Sequence, residues 1–219
     1  MSAASLADLL LRKRLMIFDF DGTIADSSPL HERAFNEAFE SEGVTVDYST
    51  IAGMTTESAV DHIAGKAGLR LDAAKRSSVI ADKRQRARRH IASQLVGMDG
   101  SLEFIERVKG RYLLALCTSG SRDTIEVSLE RLGLTAHFDP IVTGEDVARG
   151  KPDPEGFLRI LDQHGMAASD AVVFEDSDHG MAAAAAAEID TVQIVAGHDE
   201  AGGMKATWKM LLGALEQIQ

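Results

Sequence analysis

The chain has 219 residues, enough to bury a sizeable core in one domain with an insertion or in two small domains. Its 23 basic and 34 acidic residues give a formal net charge of −11, which argues against general binding of nucleic acid. The single cysteine, Cys117, excludes an internal disulfide and is typical of a reducing compartment. The N-terminal leucine cluster lacks the charge order of a signal peptide, and no apolar run is long enough to span a bilayer. We therefore expect a cytoplasmic protein that does not contact membranes.

An apolar run near the N-terminus, residues 15–18, has the pattern of a short buried strand. It ends in Asp19 and Asp21, two carboxylates separated by one residue, and Gly22 follows. Because side chains alternate along an extended chain, both carboxylates can border one site only if the backbone bends there, and Gly22 permits that bend. Acids at a strand tip are typical of active sites in open parallel sheets, although an ordinary Asp-Gly turn explains the same residues.

The segments around this strand have helical patterns. Capping-box spacing predicts a short helix over residues 5–13, which leads into the strand. Nothing between residues 28 and 96 has the pattern of a strand. We predict three helices there: one that begins at Pro29, one over residues 56–64 and one over about residues 72–95.

The third of these helices is unusually basic. A basic helix face is ordinarily solvated, and the alternative is that it raises the local potential for anionic substrates. We expect the three helices to form one module, residues 27–96, inserted into a core made of residues 1–26 and 97–219. The cations of the third helix are Lys75, Arg76, Lys83, Arg84, Arg86, Arg88 and Arg89.

From residue 99 onward, predicted helices and strands alternate. The strands are expected over residues 112–117, 138–142, 171–174 and 191–195, and a closing helix begins near Trp208. Alternation of this kind implies a parallel sheet with helices on both faces. The fold class that we predict is therefore α/β, a Rossmann-like parallel sheet core with an inserted helical module.

Polar residues follow three of the predicted strands, and a lysine lies in a proline-stiffened loop. Each feature alone has an ordinary explanation: a helix cap, a turn or a solvated lysine. Together they supply oxygen ligands suited to magnesium, hydroxyl and amide donors for phosphate oxygens, and a cation. These are the groups that phosphoryl transfer needs. They are Asp19 and Asp21, then Thr118, Ser119 and Gly120, then Lys151, and finally Glu175 and Asp176.

Four segments of the chain carry a family resemblance. In order they are Asp-Phe-Asp-Gly-Thr-Ile-Ala-Asp-Ser, Thr-Ser-Gly-Ser, Gly-Lys-Pro-Asp-Pro and Phe-Glu-Asp-Ser-x-x-Gly. This set resembles the haloacid dehalogenase superfamily, specifically its phosphatase and phosphosugar-mutase branch, which has a helical cap inserted after the first segment. The resemblance covers essentially the whole chain.

The resemblance implies roles for individual residues. Asp19 would be the nucleophile and Asp21 the general acid/base. Thr118 would bind the transferring phosphoryl group, and Lys151 would steady it together with Asp19. Because an anionic Asp19 must attack an anionic phosphate, magnesium and Lys151 are needed to offset the repulsion. The ligands implied for Mg²⁺ are Asp19, the backbone carbonyl of Asp21, Glu175 and Asp176.

The inserted helices are expected to decide the substrate. His31 lies ten residues after Asp21 and matches a histidine of β-phosphoglucomutases that assists the acid/base; the alternative is a solvent-facing helix histidine. Thr56 stands where those mutases place a phosphate-binding arginine, and Lys83 or Arg84 are cations that could substitute for it. His179 is more typical of a helix start than of a magnesium ligand. The substrate-binding residues that we predict are Thr118, Ser119, Gly120, Lys151, His31 and Thr56.

These observations predict a magnesium-dependent phosphatase that hydrolyses a small phosphorylated sugar or polyol through an aspartyl-phosphate. The enzymatic alternative is a β-phosphoglucomutase-type isomerase. An alternative of another class is a catalytically idle binding protein, which is disfavoured because no core catalytic position is substituted. We expect a monomer or a weak homodimer.

Overall fold

One parallel sheet lies at the centre of the molecule. The computed structural model describes residues 2–195 and 204–218, and within them the sheet has six strands. They pair in the order β3-β2-β1-β4-β5-β6 and every pair is parallel, which confirms the predicted parallel sheet. The strands are β1 Leu15–Phe18, β2 Leu113–Cys117, β3 Ile141–Val142, β4 Ala171–Glu175, β5 Asp190–Ile194 and β6 Lys205–Ala206.

Two strands differ from the sequence prediction. The strand expected over residues 138–142 is reduced to Ile141–Val142. Pro140 has no N–H to donate to a ladder, and Phe138 is buried in the apolar core instead. β6 was not predicted, because a strand of two residues is too short to show a periodicity.

Helices cover both faces of the sheet, as the alternating pattern predicted. One face packs against α1, α5, α6 and α9, whose apolar side chains join one cluster with Phe18, Leu116 and Phe174. The other face packs against α7 and α8. The bounds of these helices are α1 Ala3–Leu11, α5 Ser101–Val108, α6 Arg122–Leu132, α7 Glu155–His164, α8 Asp178–Ala186 and α9 Trp208–Leu215.

Three further helices lie between β1 and α5: α2 Ser28–Ala38, α3 Thr56–Lys66 and α4 Ala73–Gln94. We call them the helical insertion. No strand occurs in residues 28–96, in agreement with the sequence pattern. The insertion has an apolar cluster of its own, drawn from residues 35–80. Its two ends lie side by side, because the Asp26 amide donates to the Val96 carbonyl at 3.1 Å.

The start of the first helix differs from the prediction by two residues. α1 begins at Ala3, two residues earlier than expected, because the Ser2 side chain accepts a hydrogen bond from the Ser5 amide. Ser101 is the first residue of α5 and follows Gly100. Its hydroxyl donates to the Ile24 carbonyl at 2.7 Å, so that α5 is tied to the loop after β1.

Candidate active site

The residues at the strand tips meet at one edge of the sheet. Asp19 follows β1, Thr118 follows β2, and Glu175 ends β4. Phe18, the last residue of β1, is in register with Leu116 and Phe174, the next-to-last residues of β2 and β4. Parallel strands present their carboxyl ends to the same edge, so the three tips surround one site. The structure thus brings together segments that lie about 150 residues apart in the sequence.

Lys151 lies at the centre of this site. Its Nζ donates to Asp19 Oδ1 at 2.6 Å, to Glu175 Oε1 at 2.6 Å and to the Cys117 carbonyl at 3.0 Å. Only 5% of the side chain is exposed. Burial by itself would lower the pKa of this amine, but the carboxylates of Asp19 and Glu175 outweigh that effect and raise the pKa. Lys151 therefore carries a positive charge directly beside Asp19.

Three carboxylates crowd around this lysine. Oxygens of Asp19, Glu175 and Asp176 all lie within 4.8 Å of one another. Burial, and then the Glu175 charge, raise the pKa of Asp19 well above its usual value. The same two causes raise the pKa of Asp176 to about 6. A set of hard oxygen donors whose negative charges repel one another suits a divalent cation such as Mg²⁺.

Small residues make the carboxylate cluster possible. Gly22 has a φ of +85°, which confirms that the backbone bends there, and a Cβ on it would lie 2.2 Å from Asp176 Oδ2. A Cβ on Gly180 would lie 1.6 Å from Glu175 Oε1. Thr23 donates to Asp176 Oδ1 at 2.8 Å and fixes that side chain. The carboxylates are thus held by packing as well as by charge.

Asp21 faces a different set of partners. Its Oδ1 accepts a hydrogen bond from the Ser27 hydroxyl at 2.6 Å and lies 3.0 Å from His31 Nε2. Burial by itself would raise the pKa of Asp21, but His31, Ser27 and Lys83 outweigh it and lower the pKa to about 2. Asp21 is therefore ionised in the free protein.

His31 connects Asp21 to a buried lysine and is not solvent-facing, since only 5% of the residue is exposed. Its Nδ1 lies 3.1 Å from Lys83 Nζ. Burial, and then the Lys83 charge, lower the pKa of His31, so its ring is neutral at neutral pH. An ammonium group can only donate, so Nδ1 is the acceptor and Nε2 carries the proton that it donates to Asp21. Sequence reasoning found His31 but missed Ser27, although Ser27 ends the first family segment.

The residues of the loop after β2 have different roles. Thr118 is buried, and its Oγ1 accepts from the Gly120 amide at 3.0 Å. In the described residues its hydroxyl proton has no acceptor, so it is free to donate to a ligand. Ser119 instead donates to the carbonyl of Gly53 at 2.7 Å and joins the core to the helical insertion. The predicted set Thr118, Ser119 and Gly120 therefore lies together at the site, with Thr118 as the available side-chain donor.

A cleft of about 620 Å³ separates the helical insertion from the core and is bordered by Lys151. Thr56 begins α3 but is buried and does not line this cleft. Its neighbours Thr55 and Glu57 do, together with His179 in the first turn of α8. Sequence reasoning missed Glu57, because a single glutamate in a helix carries no distinguishing pattern.

The cations of α4 are mostly paired within the protein. Lys83 is buried against His31 and lies 4.4 Å from the centroid of the Phe35 ring. Five others face carboxylates, so most of the positive charge of this helix is balanced locally. The ion pairs are Lys75–Glu42, Arg76–Asp61, Arg84–Glu57, Arg84–Glu145, Arg86–Glu37, Arg86–Asp82 and Arg88–Asp123.

A parallel sheet that collects carboxylates, a lysine and a hydroxyl at its carboxyl edge is the framework of a phosphohydrolase. Residues 16–194 match the family model described as haloacid dehalogenase-like hydrolase. The chain belongs to this family, as the sequence motifs predicted, and it is a hydrolase of the phosphatase type found there.

Characterised relatives and solved structures agree with this assignment. The chain is 33% identical over 191 residues to validoxylamine A 7′-phosphate phosphatase of Streptomyces hygroscopicus subsp. limoneus, a match that covers 85% of this chain and 87% of the relative. It is 32% identical to the fructose-1-phosphate phosphatase of Escherichia coli, covering 82% and 95%. The crystal structure of a hydrolase from Pseudomonas syringae superposes with a TM-score of 0.81 at 26% identity, covering 94% and 99%. Among the described residues, no helix has the length and apolar character needed to cross a bilayer.

Proposed function

We propose that this protein is a magnesium-dependent phosphatase that hydrolyses a small phosphorylated sugar or polyol through an aspartyl-phosphate on Asp19. The observation that carries the proposal is the contact of Asp19 with Lys151 at 2.6 Å, inside a cluster of carboxylates and beside the free hydroxyl of Thr118. The phosphatase relatives, including one named for a phosphorylated sugar, support the same substrate class.

In this proposal Asp19 attacks the phosphorus atom, and the alcohol of the substrate leaves. Lys151 and the Thr118 hydroxyl bind the phosphoryl oxygens and offset their negative charge. Asp19, the Asp21 carbonyl, Glu175 and Asp176 would hold Mg²⁺. When bound, the ion supplies positive charge that reduces the repulsion between nucleophile and phosphate. Glu175 also positions Lys151, because one of its oxygens binds the amine and the other accepts from the Ser177 amide.

Asp21 serves both half-reactions. As an acid it must protonate the leaving alcohol, yet the pKa of about 2 makes it a carboxylate in the free protein. The approach of a phosphate anion stabilises its protonated form, since like charges disfavour a second negative charge. After the alcohol leaves, the carboxylate form removes a proton from the water that hydrolyses the aspartyl-phosphate. His31 orients Asp21 throughout by its Nε2 hydrogen bond.

A mutase would need a cation that binds a second phosphate far from Asp19. Thr56 offers no charge, and it is buried at the start of α3. The two cations that could substitute are already engaged: Lys83 with His31, and Arg84 with Glu57 and Glu145. These contacts favour a phosphatase over an isomerase.

The proposal includes a division of the chain. Residues 27–96 would act as a cap over the site, and residues 1–26 and 97–219 would form the catalytic core. The separate apolar cluster of the insertion and its adjoining ends support this division. We propose a cytoplasmic monomer or weak homodimer whose partner is a small metabolite, with no nucleic acid or membrane involved.

The experiment measures phosphate release from p-nitrophenyl phosphate, fructose 1-phosphate and glucose 6-phosphate, with and without MgCl₂. We expect release that requires Mg²⁺, and we expect Asp19→Asn to lower kcat by at least about a thousandfold while circular dichroism stays native. Turnover by a folded Asp19→Asn protein at the wild-type rate would refute the assignment of Asp19 as the nucleophile. In a second reaction with β-glucose 1-phosphate and the bisphosphate primer, formation of glucose 6-phosphate faster than phosphate release would establish the mutase instead.

A further inference from the structure

The cleft beside Lys151 has an unbalanced charge. Its volume, about 620 Å³, is within the range of small-molecule sites. Four of its lining residues are ionisable in the described part of the chain: Glu57 of α3, Glu145 of the loop after β3, Lys151 and His179. Lys151 is neutralised by two carboxylates of the strand-tip cluster. The two glutamates therefore dominate the charge of the wall outside the phosphate-binding corner.

Arg84 lies between these two glutamates and does not cancel them. Its guanidinium is 2.7 Å from Glu57 Oε1 and 3.2 Å from Glu145 Oε1. One cation against two carboxylates leaves a net negative charge. Both glutamate side chains remain accessible, at 40% and 44% exposure, whereas that of Arg84 is 24% exposed. A ligand in the cleft would meet the carboxylates more readily than the guanidinium.

We propose that Glu57 and Glu145 are specificity-determining residues, which select substrates whose leaving group is an uncharged, hydroxyl-bearing group and reject those with a second anionic group. This inference rests on the proposed phosphatase function. Carboxylates accept hydrogen bonds from hydroxyl groups, and they repel a remote phosphate or carboxylate. Selection of this kind works through repulsion of the wrong substrate as much as through attraction of the right one.

Neutralising both glutamates should reverse the charge preference of the cleft. Arg84 is suited to bind an anion with its planar fork of donors, but both carboxylates hold it. Its Nε is buried and has no hydrogen-bond partner in the described residues. If both glutamates become neutral, the guanidinium of Arg84, which contacts them but does not itself line the cleft, keeps its positive charge. The preference for uncharged leaving groups is then expected to invert.

The test compares two matched pairs of ligands. Fructose 1,6-bisphosphate adds a remote phosphate to fructose 1-phosphate, and 3-phosphoglycerate replaces the hydroxymethyl group of glycerol 3-phosphate by a carboxylate. The proteins are the wild type, Glu57→Gln, Glu145→Gln and the double variant. Each is assayed for kcat/KM with MgCl₂. Calorimetry then gives the Kd of each ligand for the same variants carrying Asp19→Asn, so that binding is measured without turnover.

We expect the wild type to prefer the member without the remote charge in both pairs. The charged-to-uncharged ratio of kcat/KM should rise in each single variant and by about tenfold in the double variant, and the corresponding ratio of Kd should fall to the same extent. Adding Arg84→Met to the double variant should remove the part of the gain that the guanidinium supplies and leave the part that comes from the lost repulsion. Glu40→Gln, which removes an exposed carboxylate of the insertion that does not line the cleft, should leave the ratio unchanged.

Two failures are distinguishable. If the wild type binds both pairs but releases no phosphate from them or from p-nitrophenyl phosphate, the proposed function is wrong, while the Kd ratios still decide the selectivity. If the ratios stay unchanged in the double variant and in both single variants, the selectivity proposal is overturned, although the proposed phosphatase function is not. Absence of binding of either uncharged ligand to the Asp19→Asn protein would also overturn it. Circular dichroism of each variant excludes misfolding, and the single variants alter only partly exposed side chains.

Discussion

At the scale of single residues, the carboxylate cluster couples the charge state of the site to the stability of the fold. The pKa of Asp176 is raised to about 6 by burial and by Glu175, and that of Asp19 is raised in the same way. The folded state therefore holds these protons more tightly than the unfolded chain. For Asp176 the stabilising contribution is complete below the ordinary pKa of 3.8 and is lost as the pH rises through about 6, and the contribution of Asp19 is lost in the same direction.

Mg²⁺ should reverse that loss, because it replaces the missing protons as the partner of the carboxylates. We predict that MgCl₂ raises the thermal unfolding midpoint more at about pH 8 than at about pH 5, where protons compete for the same oxygens. Differential scanning calorimetry of the wild type measures this shift. Asp176→Asn should reduce it, and Asp139→Asn, outside the site, should not. An equal shift at both pH values would contradict the assignment of these carboxylates to the metal.

A second prediction at this scale concerns Lys83. Burial lowers the pKa of Lys83 to about 8, so the ammonium group that holds His31 in one tautomer is lost as the pH rises through that value. We expect kcat to fall above about pH 8 for that reason, and we expect Lys83→Met to lower kcat about tenfold and to remove this alkaline decline. The pH profile of kcat for each protein, with a good and a poor leaving group, measures the effect.

As the pH rises above about 8, the free energy of unfolding should increase while kcat falls. Because the unfolded chain binds this proton more tightly between about pH 8 and the ordinary pKa of 10.5, native stability rises with pH across that window. At neutral pH the buried charge is a cost, so Lys83→Met should raise the unfolding midpoint. Lys75→Met, which alters a partly exposed lysine of the same helix, is the matched control and should change neither quantity. Loss of both activity and stability in Lys83→Met would indicate a structural role only.

At the scale of elements, the start of α8 positions the tip of β4. The Ser177 side chain caps α8. The backbone amide of Ser177 donates a hydrogen bond to Glu175 Oε2 at 2.7 Å. Gly180 lies directly over the same carboxylate, which is fully buried and bound by Lys151. A methyl group at this position cannot be accommodated by rotation into solvent. The Glu175 carboxylate must move instead.

We therefore predict that Gly180→Ala lowers kcat about a hundredfold and weakens Mg²⁺ binding, with a loss of about 1–3 kcal/mol in the free energy of unfolding. Kinetics against Mg²⁺ concentration and urea denaturation measure the two effects. Gly213→Ala in α9 is the matched control. A Cβ there meets nothing within 4 Å, so the change should stabilise the helix by up to about 1 kcal/mol without altering kcat. Normal kcat in Gly180→Ala would show that Glu175 tolerates displacement.

At the scale of the whole molecule, a net charge of −11 disfavours the approach of an anionic substrate. The basic helix α4 does not offset this at long range, because its cations largely face carboxylates. We predict that kcat/KM for a sugar phosphate changes by less than about threefold between about 20 and 300 mM KCl, with free Mg²⁺ kept constant. A steep fall of kcat/KM with salt would instead indicate that α4 attracts the substrate electrostatically.

Much of the fold was predictable from local sequence patterns. The strands β1, β2, β4 and β5 coincide with their apolar runs within a residue or two, because an apolar run of that length must be buried on both faces of a parallel sheet. The boundaries that differed depended on single contacts, such as the Ser2 cap of α1, which no periodicity reveals. The candidate residues Asp19, Glu175 and Asp176 were predictable for a related reason. Strand ends of a parallel sheet share one edge, so residues that follow strands must meet.

What the tertiary structure alone decided are the contacts among the helices of the insertion and between the insertion and the core. His31 and Lys83 lie 52 residues apart, on α2 and α4, and their hydrogen bond depends on how those helices cross. The position of Arg84 between Glu57 and Glu145 depends on how the insertion meets the loop after β3. Sequence spacing determines which residues share one face of a helix, but not which face of another element they meet. The chemistry at the strand tips was therefore determined by the sequence, whereas the packing of helices determined the surroundings of the leaving group.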